Sequence, residues 1–98
     1  MSKQKLTIVA RVTAKEGKED FVKGELLKLI DPTRMEEGCI NYDLHQDNEN
    51  PNVFVFHENW ESRALLQRHM NSDHIAKYLE ASDGCVDQFV MHEMTHIG

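Results

Sequence analysis

Between Glu36 and Glu80 the chain gathers residue types suited to proton-transfer chemistry: Tyr42, Phe54, Phe56, Glu58, Trp60, His69 and His74. An imidazole titrates near neutrality and can take a proton from a weakly acidic hydroxyl, which makes His69 and His74 the candidate bases. A carboxylate beside such a ring orients it and stabilises its charged form, and Glu58 is the candidate for that role. The expected hydrogen bond joins Glu58 to His69. The same two groups also read as a buried structural pair, because ion pairs between strand and helix perturb titration without doing chemistry. Trp60 serves either as a stacking surface for a flat substrate or as a core anchor. Tyr42 either donates a hydrogen bond to a substrate oxygen or covers the core, and Phe54 and Phe56 complete an aromatic wall. His74 follows Asp73 and equally suits a solvated first helical turn.

A second pattern, His92-Glu93-Met94-Thr95-His96, spells the HExxH signature of zinc proteases, which works only on a helix with a third ligand nearby. On a strand, four steps of about 3.3 Å put the two imidazoles roughly 13 Å apart, too far for one zinc ion. No metal site is expected there.

These residues need a frame. Leu6, Ile8, Ala10 and Val12 alternate with Thr7, Val9 and Arg11, predicting a first strand. Gly17 breaks it, and Phe21, Val22, Leu26, Leu29 and Ile30 recur at helical spacing, with Asp31-Pro32 expected to end or kink that helix. Ile40, Tyr42 and Leu44 share one face of a second strand. The polar segment 47–52 predicts a hairpin loop, and Val53 to Trp60 a third strand with Phe54, Phe56, Glu58 and Trp60 on one side. Ser62 and Ser72 are N-caps for two short helices, the first carrying His69 and the second Ile75, Tyr78 and Leu79. Residues 86–97 fit either period, and the Val/Phe content near their start favours a strand.

That order, βαββααβ, predicts an α+β ferredoxin-like antiparallel sheet with helices on one face. Val9, Val53, Val55 and His57 would lie on the other face, too apolar to be fully wetted, which predicts a partner sheet and a two-fold homodimer.

The 98 residues suit one domain spanning 1–98, able to bury a core without crosslinks. Two cysteines, Cys39 and Cys85, are a poor disulfide framework and are expected to stay reduced. Seventeen acidic against 11 basic side chains give a net charge of −6 with no basic stripe, which argues against nucleic acid. The apolar run at Leu6 to Val12 is too short for a signal core or a membrane span, so the expected compartment is the cytoplasm.

Pro32-Thr33-Arg34, Glu37-Gly38-Cys39 with Tyr42, Glu58-Asn59-Trp60-Glu61-Ser62, Ala64-Leu65 with His69, and Ser72-Asp73-His74 occur in order over nearly the whole chain. As an ordered set they resemble the antibiotic biosynthesis monooxygenase (ABM) superfamily, in particular its small quinol-monooxygenase-like members. The resemblance implies a dimeric α+β barrel with a pocket in each subunit between sheet and helices. It also implies oxidation of a small aromatic quinol or phenol by molecular oxygen, with no flavin, heme or metal. The heme-degrading branch is disfavoured, because Leu79 stands where those relatives carry an axial histidine and cannot ligate iron.

A shared fold does not fix chemistry. The expected function is a cofactor-independent monooxygenase with His69 as base, Glu58 as its orienter, and Tyr42, Phe54, Phe56, Trp60 and His74 as substrate contacts. The alternatives are a small phosphorylated-sugar isomerase, which needs Arg34, Arg63 or Arg68 in the pocket to hold phosphate, and a non-catalytic small-ligand-binding module.

Overall fold

The computed structural model of the chain describes residues 5–98. Four strands and four helices follow in order: β1 (Leu6–Ala14), α1 (Glu19–Leu27), α2 (Ile30–Arg34), β2 (Cys39–Gln46), β3 (Val53–Trp60), α3 (Arg63–Met70), α4 (Asp73–Ala81) and β4 (Val86–Met94). The strands form one antiparallel sheet in the order β2-β3-β1-β4. Register sets its two faces: Ile8, Glu58 and Tyr42 lie in one row across β1, β3 and β2, and Ala10, Phe56 and Leu44 in the next. This is the helix-covered face, where Ile8, Val12, Phe54 and Trp60 meet Val22, Leu26 and Leu66 in the core.

The expected dimeric α+β barrel is corrected. Closing a sheet requires its outermost strands to pair, whereas β2 and β4 stand at opposite edges with β3 and β1 between them, so the sheet is open. Among the described residues nothing evidences a second subunit. The uncovered face is also more polar than its valines suggest. Thr7 Oγ1 donates to Asn59 Oδ1 at 2.6 Å, Asn59 donates to Asn41 at 2.7 Å, and Asn41 donates to Asp43 at 3.1 Å, a polar ladder across the uncovered face. Val9, Val53 and Val55 are only half-buried beside it.

Two local departures have simple causes. Asp31-Pro32 does not end the first helix; Pro32 sits in the first turn of α2, where its missing N–H has no helical partner to lose. In β2 the register shifts between Cys39 and Asn41, so Cys39 pairs with Trp60 on the core face and Ile40 is turned outward, half-exposed.

The capping reading holds: Ser62 Oγ accepts from Leu65 N at 3.2 Å, and Ser72 Oγ from Ile75 N at 3.4 Å. Residues 86–94 are a strand, as the Val/Phe content favoured. Cys39 and Cys85 are unpaired. No helix among the described residues is long and apolar enough to cross a membrane.

Candidate active site

His69 occupies the last turn of α3, and the helix rests on the sheet through Leu66 and His69. The residue is buried, with the Trp60 ring centroid 4.7 Å from that of its imidazole and the Tyr42 ring meeting it edge-on at 5.4 Å. Tyr42 in turn stacks on Phe56 at 4.4 Å. Trp60 and Tyr42 thus hold the imidazole from the strand side, with Phe56 stacked behind Tyr42.

The carboxylate that engages this ring is Glu36, not Glu58. Glu36 Oε2 lies 2.7 Å from His69 Nδ1 and 2.8 Å from His74 Nε2, so one oxygen bridges two imidazoles. Ser72 locks the two helices around them by donating to the His69 carbonyl at 2.7 Å, with its hydroxyl 3.3 Å from His74 Nε2. Glu36 reaches this place because Gly38 lets the α2–β2 turn lie directly on α3. Its φ is +86°, and a Cβ there would stand 2.4 Å from Leu65 Cδ1.

Glu58, expected to partner His69, is 4% exposed and accepts from Trp60 Nε1 at 2.9 Å. It shares the core face with His69, but its oxygen is spent on the indole. Burial pushes its pKa up to about 7, helped by the Glu36 charge and opposed by the Trp60 hydrogen bond. Burial likewise pulls His69 below its ordinary value, outweighing the upward pull of the Glu36 hydrogen bond and charge, so the ring favours its neutral, proton-accepting form. Burial and Glu58 raise Tyr42 and keep its hydroxyl protonated. Cys39 is pushed up to about 11, mainly by burial and then by Glu36, which makes it an unreactive thiol.

A cavity of about 320 Å³ opens between the sheet and the helices, lined by Val12, Leu29, Tyr42, Phe56, His69, Ile75 and Tyr78 among others. Its volume falls at the small end of the roughly 300–1,000 Å³ that small-molecule sites occupy. A separate groove of about 500 Å³ lies outside, lined by Glu36, Arg68, Ser72 and His74 with their neighbours. His69 is the wall between the two: its ring lines the cavity, and its Nδ1 reaches Glu36 at the edge of the groove.

Of the residues singled out in the sequence, Tyr42, Phe56 and His69 line the cavity. Phe54, Glu58 and Trp60 are buried in the core behind it, and His74 belongs to the outer groove. Glu36 was missed. Its signal was faint: an acidic residue two places before a glycine, in a turn whose contact with His69 spans 33 positions.

The three arginines are engaged away from the cavity. Arg34 donates to the Tyr42 carbonyl at 3.2 Å and to Asp43 at 3.1 Å, Arg63 pairs with Glu93, and Arg68 donates to Glu37 at 3.2 Å. His92 stands on β4 and His96 beyond its end at Met94, so the HExxH residues have no helix to converge on. Among the described residues the donor set that does converge is Glu36, His69 and His74, whose ligand atoms lie within 4.8 Å of one another.

An antiparallel sheet with helices on one face, enclosing an apolar cavity that ends on aromatic rings and an imidazole, defines a small-molecule-binding α+β domain. Residues 5–81 match the family model described as antibiotic biosynthesis monooxygenase, and the chain belongs to that family. A Pseudomonas aeruginosa protein of known structure superposes with a TM-score of 0.93 at 30% identity, covering 97% of this chain and 96% of that one. The Escherichia coli K12 protein described as a probable quinol monooxygenase is 30% identical over 83% of this chain and 88% of its own length. A Synechocystis protein of uncharacterised function is 34% identical over 68% of this chain, which spans only 45% of that relative.

Proposed function

We propose that this protein is a cofactor-independent monooxygenase that oxidises a small aromatic quinol or phenol with molecular oxygen. The observation that carries the reading is the apolar cavity ending on the His69 imidazole, which Glu36 holds by Nδ1. Held this way, His69 presents Nε2 to a bound hydroxyl as a proton acceptor. Removal of that proton leaves an electron-rich anion able to give one electron to oxygen. Recombination then forms a carbon–oxygen bond, and one oxygen atom stays in the product while the other leaves as water. The O–O bond and the ring C–H bond at the attacked carbon break as water leaves, and the hydroquinone, ending as a hydroxyquinone, supplies all four electrons that oxygen takes up. Tyr42 and Phe56 form the flat wall against which an aromatic ring packs, and the apolar lining keeps water from the anion.

Family membership and the Escherichia coli relative favour this class of substrate. The phosphorylated-sugar alternative lacks support, since Arg34, Arg63 and Arg68 are more than half exposed and none lines the cavity. The test is oxygen uptake and product mass with a two-ring hydroquinone and chelator-treated protein, comparing wild type with His69→Ala. Wild-type turnover that the substitution abolishes supports the assignment; equal rates remove His69 from the mechanism. Hydroquinone binding without oxygen uptake would make the domain a ligand-binding module instead.

A further inference from the structure

Two imidazoles and a carboxylate converge at the edge of the outer groove. Glu36 Oε2 is 2.7 Å from His69 Nδ1 and 2.8 Å from His74 Nε2, and all three donor atoms lie within 4.8 Å. We propose that these side chains form a binding site for a divalent ion of the zinc class, reached from the groove, and that its occupation silences His69. The second clause rests on the function proposed above; the first does not.

The chemistry of the donors selects the ion. Imidazole nitrogen with carboxylate oxygen suits zinc, cobalt, nickel and copper, and suits magnesium or calcium poorly. An ion takes the place of the protons now shared in the two hydrogen bonds, at about 2.0–2.2 Å from each donor atom. In tetrahedral coordination two donor atoms about 2.1 Å from one ion stand roughly 3.4 Å apart, so the two imidazole nitrogens, now within 4.8 Å of one another, draw together by as much as about 1.4 Å on binding. The parts that must give are the looser ones: the Glu36 and His74 side chains are 17% and 22% exposed, whereas His69 is 3% exposed and packed against Trp60 and Tyr42. Three protein ligands leave a coordination position for water on the groove side, where about 500 Å³ of space adjoins Glu36 and His74. Glu37 and Asp73 line the same groove; Arg68, also there, pairs with Glu37 at 3.2 Å, which leaves Asp73 as the further acidic group toward a cation.

The consequence for the cavity follows from imidazole tautomers. In the metal-free protein Nδ1 carries the proton toward Glu36, and Nε2 keeps the lone pair that accepts a proton. An ion on Nδ1 takes that nitrogen's lone pair and moves the ring proton to Nε2. The ring then faces the cavity as a donor and accepts nothing. Zinc and substrate never meet; they compete for the two ends of one imidazole.

The experiment is zinc titration of the chelator-treated protein by calorimetry, with cobalt absorption as an independent report of nitrogen ligation. One ion per wild-type chain is expected, with affinity reduced tenfold or more in Glu36→Gln and in His74→Ala, and unchanged in His92→Ala. Circular dichroism identifies any variant that has not folded; Glu36→Gln keeps the side-chain shape and decides the case if His74→Ala fails. Equal zinc affinity in wild type and Glu36→Gln, or no stoichiometric binding by wild type, overturns the site. For silencing, zinc at saturation is expected to stop hydroquinone oxidation by wild type, and tenfold more zinc to be needed in His74→Ala. Undiminished turnover by zinc-loaded wild type overturns silencing and the assignment of His69 as base, while the binding titration still decides the site.

Discussion

His69 on α3 is held by Glu36, 33 positions earlier, through a 2.7 Å contact to Nδ1, while the carboxylate on the neighbouring strand, Glu58, bonds Trp60. A partly buried acid therefore faces the imidazole and a fully buried one anchors the indole. Their roles separate in experiments.

Replacing His69 with alanine is expected to lower kcat for hydroquinone oxidation by about 100-fold or more, the usual worth of a positioned base. Glu36 acts through His69 and does not line the cavity, so Glu36→Gln should lower kcat with KM nearly unchanged. Steady-state oxygen uptake separates the two parameters. An equal rise in KM for Glu36→Gln would show that Glu36 meets the substrate directly.

Glu58 predicts how stability varies with pH. Its carboxyl, ordinarily titrating near 4.5, is raised to about 7 in the fold, so the native state holds the proton more tightly than the unfolded chain. Its stabilising contribution is complete below about pH 4.5 and is lost as pH rises through about 7, a change on the order of 3 kcal/mol. His69, lowered by burial, contributes with the opposite sign, its share being lost as pH falls below about 6.5. Urea unfolding of wild type and Glu58→Gln across this range isolates the carboxyl. A stability difference that does not vary with pH would show that Glu58 titrates normally.

Gly38→Ala should destabilise the fold by about 2–4 kcal/mol, because a left-handed conformation and an overpacked contact each cost a non-glycine residue. The clash is with Leu65 Cβ at 2.8 Å and Cδ1 at 2.4 Å, so α3 cannot keep its seat on the turn that carries Glu36. Denaturant midpoints measure it. Trimming Leu65 to alanine in the same chain should return part of the loss, and its failure to do so would leave backbone strain as the whole cause.

Leu79 lines the cavity although 60% of it is exposed, which places it at the opening. A tryptophan there is expected to change stability by no more than about 0.5 kcal/mol, as at other exposed positions. It should raise KM about tenfold, the loss of about 1.4 kcal/mol of binding. An unaltered KM would move the entrance elsewhere.

The elements were legible because their signals are local. Alternation along Val53–Trp60 fixed which side chains face the helices, and all four of Phe54, Phe56, Glu58 and Trp60 are buried there. Ser62 and Ser72 marked two helix starts because a hydroxyl that caps a free N–H acts within three residues. Where one residue's effect depends on its neighbours in space, local reading failed. Ile40 alternates correctly with Tyr42, yet a bulge turns it outward; Pro32 reads as a terminator, yet it lies in the first turn of a new helix.

The candidate site divides along the same line. The sequence by itself determined the side chains on offer: an imidazole on a capped helix, aromatic rings on one strand face, and an order of motifs that resembles one family. Only the tertiary structure decided which carboxylate meets the imidazole, since Glu58 and Glu36 are both acids and their choice of partner is a matter of ångströms. It decided equally that Trp60 and Phe54 sit in the core while Tyr42 and Phe56 border the cavity. Periodicity reports which face a residue occupies. Its depth within that layer, and its contacts across 33 positions of chain, are set by how helices and strands pack, which no local pattern encodes.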